Sequence, residues 1–124
     1  TTSLTATITP SLASSRILVL ITSQFKHQRA GGGFSGIAAE VDRNGTVVGD
    51  WNKTDSDEFN FLQITGSSAT LYVSNVISVS VLDSPSSTSA LTYTLKARGY
   101  DGSVSVNFQQ NSALSTITLL EIGV

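Results

Sequence analysis

The stretch Val81–Gly99, VLDSPSSTSALTYTLKARG, decides the fold. One strand is predicted to end before a serine-rich turn that contains Pro85, and a second strand is predicted to begin at Leu91. Apolar and polar side chains alternate from Leu91 to Arg98, which is typical of a strand with one face on a core and the other in water. The turn therefore sets the register of two strands, and the second has one wet face.

Short apolar segments of the same kind recur along the chain, and no stretch of ten or more residues has a helical period. Asn44-Gly45 between two such segments is the strongest hairpin signal. Lys26–Gly33 and Asp50–Asn60 show neither the two-residue alternation of a strand nor the 3.6-residue period of a helix, so both are predicted to be exposed loops. The long apolar pattern from Ala69 to Val81 suggests a break near Ser74–Asn75. We predict a single all-β domain over residues 1–124, an antiparallel jelly-roll sandwich of about eight to nine strands.

The composition excludes several classes of partner. Charged residues make up 13% of the chain and the net charge is -2, so neither nucleic acid nor an anionic membrane surface is expected as a partner. The longest apolar run, Ile17–Ile21, is far shorter than the ~20 residues of a membrane helix, so membrane insertion is not expected. Cysteine is absent, which removes disulfide and thiol chemistry.

Two segments carry apolar residues on both faces of the predicted strand: Ile17–Ile21 and Thr116–Ile122. A two-layer domain covers only one face of a strand, so the second face is predicted to meet another subunit. A monomer with these faces partly exposed remains the alternative. Glu121 is expected to need a partner, and Arg16 is the candidate. The predicted oligomer interface consists of Leu18, Leu20, Leu119, Leu120 and Ile122.

Three segments carry a family resemblance. ITPSLASSRILVLI at residues 8–21, VLDSPSSTSALTYTLKARG at 81–99 and STITLLEIGV at 115–124 resemble a domain common in tail-fibre and virion-surface proteins of marine bacteriophages. The corresponding family motifs read ITPSSASSKILV, LDSPxTTSAxTYK and SSITLMEI. Arg16 stands where that family has lysine, and Leu120 where it often has methionine. The region from residue 24 to 71 carries no family motif that we can identify.

The resemblance implies a trimeric jelly roll of the tumour-necrosis-factor type, with the first and last strands paired near the three-fold axis. It implies a virion-surface location after assembly in the cytoplasm of a bacterial host, among other virion proteins. The implied role is the distal head of a fibre that binds a host-cell glycan or protein. A decoration (cement) protein of the capsid or tail, with a structural role, is the alternative.

Loop residues are the candidates for receptor contact. Lys26, His27 and Arg29 precede three glycines and would suit an anionic receptor. Trp51, Asp55 and Asp57 lie in the second predicted loop, where an exposed tryptophan offers a surface for sugar rings. The alternatives are that His27 is simply solvated, that Trp51 caps the core, and that the acidic residues are solvated or bind calcium.

No catalytic residues, metal or cofactor are expected. Gly31, Gly33 and Gly36 match G-x-G-x-x-G, but the hairpin that follows leaves too little room for the helix of a dinucleotide site. The single histidine and the absence of cysteine do not supply a usual zinc site. No G-x-S-x-G nucleophile motif is present, and a glycosidase pair depends on a carboxylate separation that sequence does not give. The chain is therefore not expected to be an enzyme.

Overall fold

The structure, a computed structural model, describes residues 4–51, 59–66, 68–109 and 112–123. These residues form nine strands, and all of the strand pairs are antiparallel. The strands are β1 Leu4–Ile8, β2 Arg16–Ala30, β3 Gly33–Arg43, β4 Thr46–Trp51, β5 Phe59–Ile64, β6 Thr70–Asp83, β7 Leu91–Gly99, β8 Val104–Phe108 and β9 Thr116–Ile122. The all-β prediction and the expected number of strands are confirmed.

The strands form two sheets. Sheet I has the order β1-β7-β3-β4, and β5 continues along the same edge of β3 as β4. Sheet II has β2 in the centre and β6 on one side. On the other side of β2, β9 pairs with residues 16–22 and β8 with residues 25–29. β2 and β3 are therefore the central strands of the two sheets.

Alternate residues of these strands fill the core between the sheets. On β2 every second residue from Ile17 to His27 is buried, whereas the residues between them are half-buried or exposed. β7 has the same alternation, with Leu91, Tyr93 and Leu95 buried, as its sequence predicts. Each fully buried large apolar side chain stabilises the fold by about 1.5–3 kcal/mol. The core cluster consists of Ile17, Val19, Ile21, Phe25, Ile37, Ala39, Val41, Ile77, Leu91, Tyr93, Leu95 and Phe108.

The predicted hairpin is confirmed and the first predicted loop is wrong. Asn44 and Gly45 have φ values of 49° and 88° and join β3 to β4. Lys26–Ala30, however, belongs to β2, and only Gly31 and Gly32 separate β2 from β3. This end of β2 has polar residues on both faces, so its strand period is not visible in the hydrophobic pattern.

β6 is a single continuous strand, so the break expected near Ser74–Asn75 is absent. Its pairing with β2 runs from Asp83 to Thr70 without a register shift. The partner strand β2 is equally long, and it supplies backbone hydrogen bonds along the whole of β6.

Polar residues of the three segments that carry the family resemblance make two sets of hydrogen bonds, one within the second segment and to Arg43, the other between the first and third segments. Asp83 accepts two hydrogen bonds from Arg43 Nη1, at 2.8 and 2.7 Å, and one from the Tyr93 hydroxyl at 2.7 Å. Glu121 Oε1 accepts hydrogen bonds from the Ser11 N–H at 2.8 Å and the Ser11 hydroxyl at 2.7 Å. The first set joins the two sheets, and the second joins the segment after β1 to β9.

The proposed Arg16–Glu121 ion pair is contradicted. Glu121 lies opposite Ile17 in the register, whereas Arg16 lies opposite Ile122. Residues opposite each other share a face of the sheet, so Arg16 and Glu121 lie on opposite faces. Glu121 is stabilised by serines instead.

Candidate interaction surfaces

The outer face of sheet II carries a row of leucines from three strands. Leu18 of β2 lies opposite Leu82 of β6 on one side and opposite Leu120 of β9 on the other. Leu20 and Ile122 adjoin this row. Leu82 is 50% exposed, Leu120 46% and Leu20 38%. We call these five residues, Leu18, Leu20, Leu82, Leu120 and Ile122, the leucine face.

Small hydroxyl side chains cover the adjoining part of the same sheet. Thr22 and Ser78 share a hydrogen bond of 3.2 Å between their hydroxyls, and Ser80 and Thr118 lie on either side of Leu20. Among the described residues of sheet II, the outward positions hold no carboxylate; Arg16 stands at one end of β2 and Lys26 near the other. The leucine face is therefore surrounded mainly by neutral, short side chains.

Four of the five predicted interface residues lie together on the leucine face: Leu18, Leu20, Leu120 and Ile122. Leu119 does not, because its side chain points inward and packs against the core. Leu82 was missed by the sequence reasoning. Leu82 shares the outward face of β6 with Ser78 and Ser80, whereas Val79 and Val81 face inward. Only the register with Leu18 reveals its place in the row.

The candidate receptor residues of β2 do not form one exposed group. Lys26 lies on the outer face of sheet II, with its ammonium 4.7 Å from the centre of the Tyr72 ring. His27 is fully buried, with Nδ1 2.7 Å from the Ser35 hydroxyl, and burial lowers its pKa. Neighbouring strand residues point to opposite faces, so the expectation of a shared loop surface is wrong.

Arg29 is occupied by structural contacts. Its Nη1 donates to both carboxylate oxygens of Asp101, at 3.0 and 2.8 Å, and to the Phe34 carbonyl at 2.9 Å. The same contacts hold the pKa of the Asp101 carboxyl below its usual value. Arg29 therefore links the β2–β3 turn to the segment between β7 and β8, rather than offering its charge to an anionic receptor.

Trp51 packs against the core, as the alternative to an exposed receptor residue predicted. It ends β4 and lies opposite the inward-facing Ala39. A Cβ atom on Gly49 would come within 2.9 Å of the Trp51 ring, which indicates how closely the indole lies on this strand. Trp51 therefore contributes to the core. Asp55 and Asp57 lie outside the described residues.

The outer face of sheet I is charged. Glu40 of β3 lies opposite Asp50 of β4 and opposite Lys96 of β7, and Arg98 lies opposite Ala38. Lys96 also forms an ion pair with Asp42, which raises the pKa of the lysine. These side chains surround an open cleft of about 340 Å³ lined by Ala38, Ala39, Glu40, Asp50, Lys96, Ala97 and Arg98. Sequence reasoning missed this cleft because its walls come from the β3–β4 hairpin and from β7, which is far from that hairpin in the chain.

The two outer faces of the sandwich thus differ in chemistry: one is leucine-rich with serine and threonine around it, and the other is charged with a cleft. Comparisons with protein-family models, with curated proteins and with solved structures found no match to this chain. Within the described residues there is no helix of the length and hydrophobicity needed to cross a membrane.

Proposed function

We propose that this chain is a surface domain of a bacteriophage virion, the distal head of a trimeric fibre that attaches the particle to its host. One observation carries the proposal. The apolar residues of β2 and β9, which lie in two of the three segments that resemble phage virion-surface proteins, meet on one exposed face together with Leu82.

Self-association through the leucine face explains its composition. A cluster of large exposed apolar side chains on a soluble domain is typical of an interaction site. The outward positions around it hold no carboxylate among the described residues, so nothing there selects a basic partner. A surface of leucines with short hydroxyl side chains around them is compatible with packing against copies of itself, and identical subunits associate by such surfaces in closed symmetric oligomers.

Two nested strand pairings support a jelly roll. β3 pairs with β7, and β2, which precedes β3, pairs with β8 and β9, which follow β7. A long antiparallel hairpin that rolls up into two sheets produces such nesting. The resemblance implies first and last strands that pair near a common axis. In this chain β9 pairs with β2 in sheet II and β1 with β7 in sheet I, so that pairing is absent among the described strands and only β9 lies on the leucine face.

The motif residues themselves add support. In the second segment Asp83 and Tyr93 bond to each other, and Ser11 of the first segment bonds to Glu121 of the third. A family that shares these residues would share the polar links that hold this sandwich together. The resemblance therefore extends from the motif letters to contacts that those letters make.

The location on the virion is tested by labelling particles of the phage whose genome encodes the chain. Gold-conjugated antibodies against the domain should mark fibre tips in electron micrographs. Label spread over the capsid or tail tube would instead support the decoration protein, for which the leucine face would rest on another virion protein. Particles without label, or a gene that lies outside any phage genome, would contradict both roles.

A further inference from the structure

We infer that the cleft on the outer face of sheet I is a saccharide-binding site and, resting on the proposed function, the place where the head contacts its host. The floor of the cleft is formed where β3 has small outward residues. Ala38 follows Gly36 on this face, so the sheet dips between the larger side chains of Glu40 and Arg98.

The walls provide hydrogen-bond acceptors on one side and donors on the other. Glu40 and Asp50 face each other across the β3–β4 pair and supply carboxylate oxygens. Lys96 and Arg98 extend from β7 on the opposite side; the Lys96 ammonium, one of whose N–H groups pairs with Asp42, and the Arg98 guanidinium both carry several N–H donors. A ligand in the cleft would therefore meet both kinds of partner within one small space.

This arrangement favours a neutral polyhydroxylated ligand. A simple anion would be repelled by Glu40 and Asp50, and a cation by Lys96 and Arg98. A sugar hydroxyl donates one hydrogen bond and accepts others, so adjacent hydroxyls of one ring can satisfy carboxylates and cations together. The volume of about 340 Å³ lies near the lower end of the range of ligand pockets, roughly 300–1,000 Å³, which suits one or two sugar rings.

An aromatic pair, Phe34 of β3 and Tyr100 directly after β7, lies farther along the strands that carry the cleft. The Tyr100 N–H donates to the Gly36 carbonyl at 3.1 Å, and the ring centres of Tyr100 and Phe34 are 5.7 Å apart. Phe34 points outward and is 37% exposed. Neither ring lines the cleft, so the aromatic pair marks the end of this face beyond the lining residues.

The position of the cleft is compatible with the proposed trimer. It lies on the outer face of sheet I, whereas the leucine face lies on the outer face of sheet II, across the core. Association through the leucine face therefore leaves the cleft of each subunit open. Identical clefts on one head would bind a repetitive glycan surface together, so weak single-site binding would become firm attachment.

The test is a titration of the ¹⁵N-labelled chain with four neutral sugars, D-mannose, D-galactose, N-acetyl-D-glucosamine and D-glucose, followed by amide NMR shifts. At least one sugar should shift the amides of Ala38, Glu40, Lys96 and Arg98 with a Kd of about 1 mM. Replacement of Glu40→Ala should weaken that binding at least about tenfold, since a buried sugar hydroxyl loses its acceptor. Thr5→Ala, on the same outer face but outside the cleft, is the matched control and should bind as the wild type does.

Three results would overturn the inference: no shift with any of the four sugars, shifts confined to other surfaces, or binding that Glu40→Ala leaves unchanged. Inorganic phosphate serves as a further probe, and shifts with phosphate alone would make the cleft an anion site instead. Sugar binding by a chain that remains monomeric would contradict the trimeric head and leave the saccharide site standing. A trimer that binds none of the sugars would contradict only the site.

Discussion

Asp83 accepts three hydrogen bonds that join the sheets. Two variants separate their contributions to the free energy of unfolding. Asp83→Asn removes the negative charge that pairs with Arg43, and the Arg43 guanidinium then lies in a largely buried site without a counter-charge. The free energy of unfolding should therefore fall by about 3 kcal/mol. Tyr93→Phe removes one hydroxyl and leaves the Arg43 contact in place, so its cost should be about 1 kcal/mol. Urea unfolding of both variants measures the difference. Equal losses would mean that the ion pair adds nothing beyond the hydroxyl contact.

Glu121 should make the fold sensitive to acid. The hydroxyls of Ser15 and Ser11, with the Ser11 N–H, lower the pKa of its carboxyl from 4.5 to about 2. A carboxyl with a lower pKa in the folded state adds stability above pH 4.5, and that stability is lost as the pH falls from 4.5 towards 2. Glu121→Gln should therefore be less stable than the wild type at pH 7 and lose less stability across this acid range.

Unfolding curves at several pH values measure this effect, and NMR titration of the Glu121 carboxyl gives its pKa directly. Glu40→Gln, on the outer face of sheet I, is the control for loss of a carboxylate elsewhere. A Glu121 carboxyl that titrates at its ordinary pKa would contradict the serine contacts.

Two glycines with positive φ, Gly31 and Gly33, take the chain from β2 into β3, and Gly33 lies close to Arg29. Gly33 has a φ of 125°, and a Cβ atom there would lie 2.7 Å from Arg29 Nη2. Gly33→Ala should therefore destabilise the fold by about 1–3 kcal/mol, because the backbone is strained and the Arg29–Asp101 contact is displaced. Gly102→Ala is the matched control, since a Cβ atom at Gly102 meets nothing within 4 Å. Thermal unfolding compares the two variants, and equal melting temperatures would contradict this account of the turn.

At the scale of elements, the sequence predicts strands well where one face is apolar. The alternation from Leu91 to Arg98 and the Asn44-Gly45 turn both correspond to the structure. The same reasoning failed for the end of β2, where inward positions hold His27 and Arg29. The Ser35 hydroxyl of β3 contacts His27 Nδ1, and Asp101, between β7 and β8, pairs with Arg29; the sequence of β2 alone does not reveal such partners.

The candidate surfaces were predicted only in part, for a related reason. Leu18 and Leu120 were identified because each lies in a segment with apolar residues on both faces of the strand. The position of Leu82 beside Leu18 and that of Lys96 beside Glu40 depend on register between strands that are distant in sequence. Register across a sheet follows from packing of the whole domain, so these neighbours become visible only in the fold.

In the proposed function the two sheets of the whole molecule have different tasks. We propose that sheet II packs against other copies of the chain through the leucine face and that sheet I leaves its charged face and cleft open to the surroundings. Leu20 and Leu119 test this division. Both lie in segments with apolar residues on both faces, but Leu119 packs against the core and Leu20 is exposed on the leucine face. Leu119→Asp buries an unpaired charge and should unfold the domain, as measured by circular dichroism.

The most direct test of self-association is size-exclusion chromatography with light scattering on the wild-type chain and on Leu20→Asp. We predict a wild-type mass of three 13.0 kDa chains and a folded monomer for Leu20→Asp, since the aspartate remains in water on an isolated subunit but meets other leucine faces in the trimer. Thr5→Asp on sheet I is the control and should remain trimeric. A monomeric wild type, or a Leu20→Asp trimer, would contradict assembly through the leucine face.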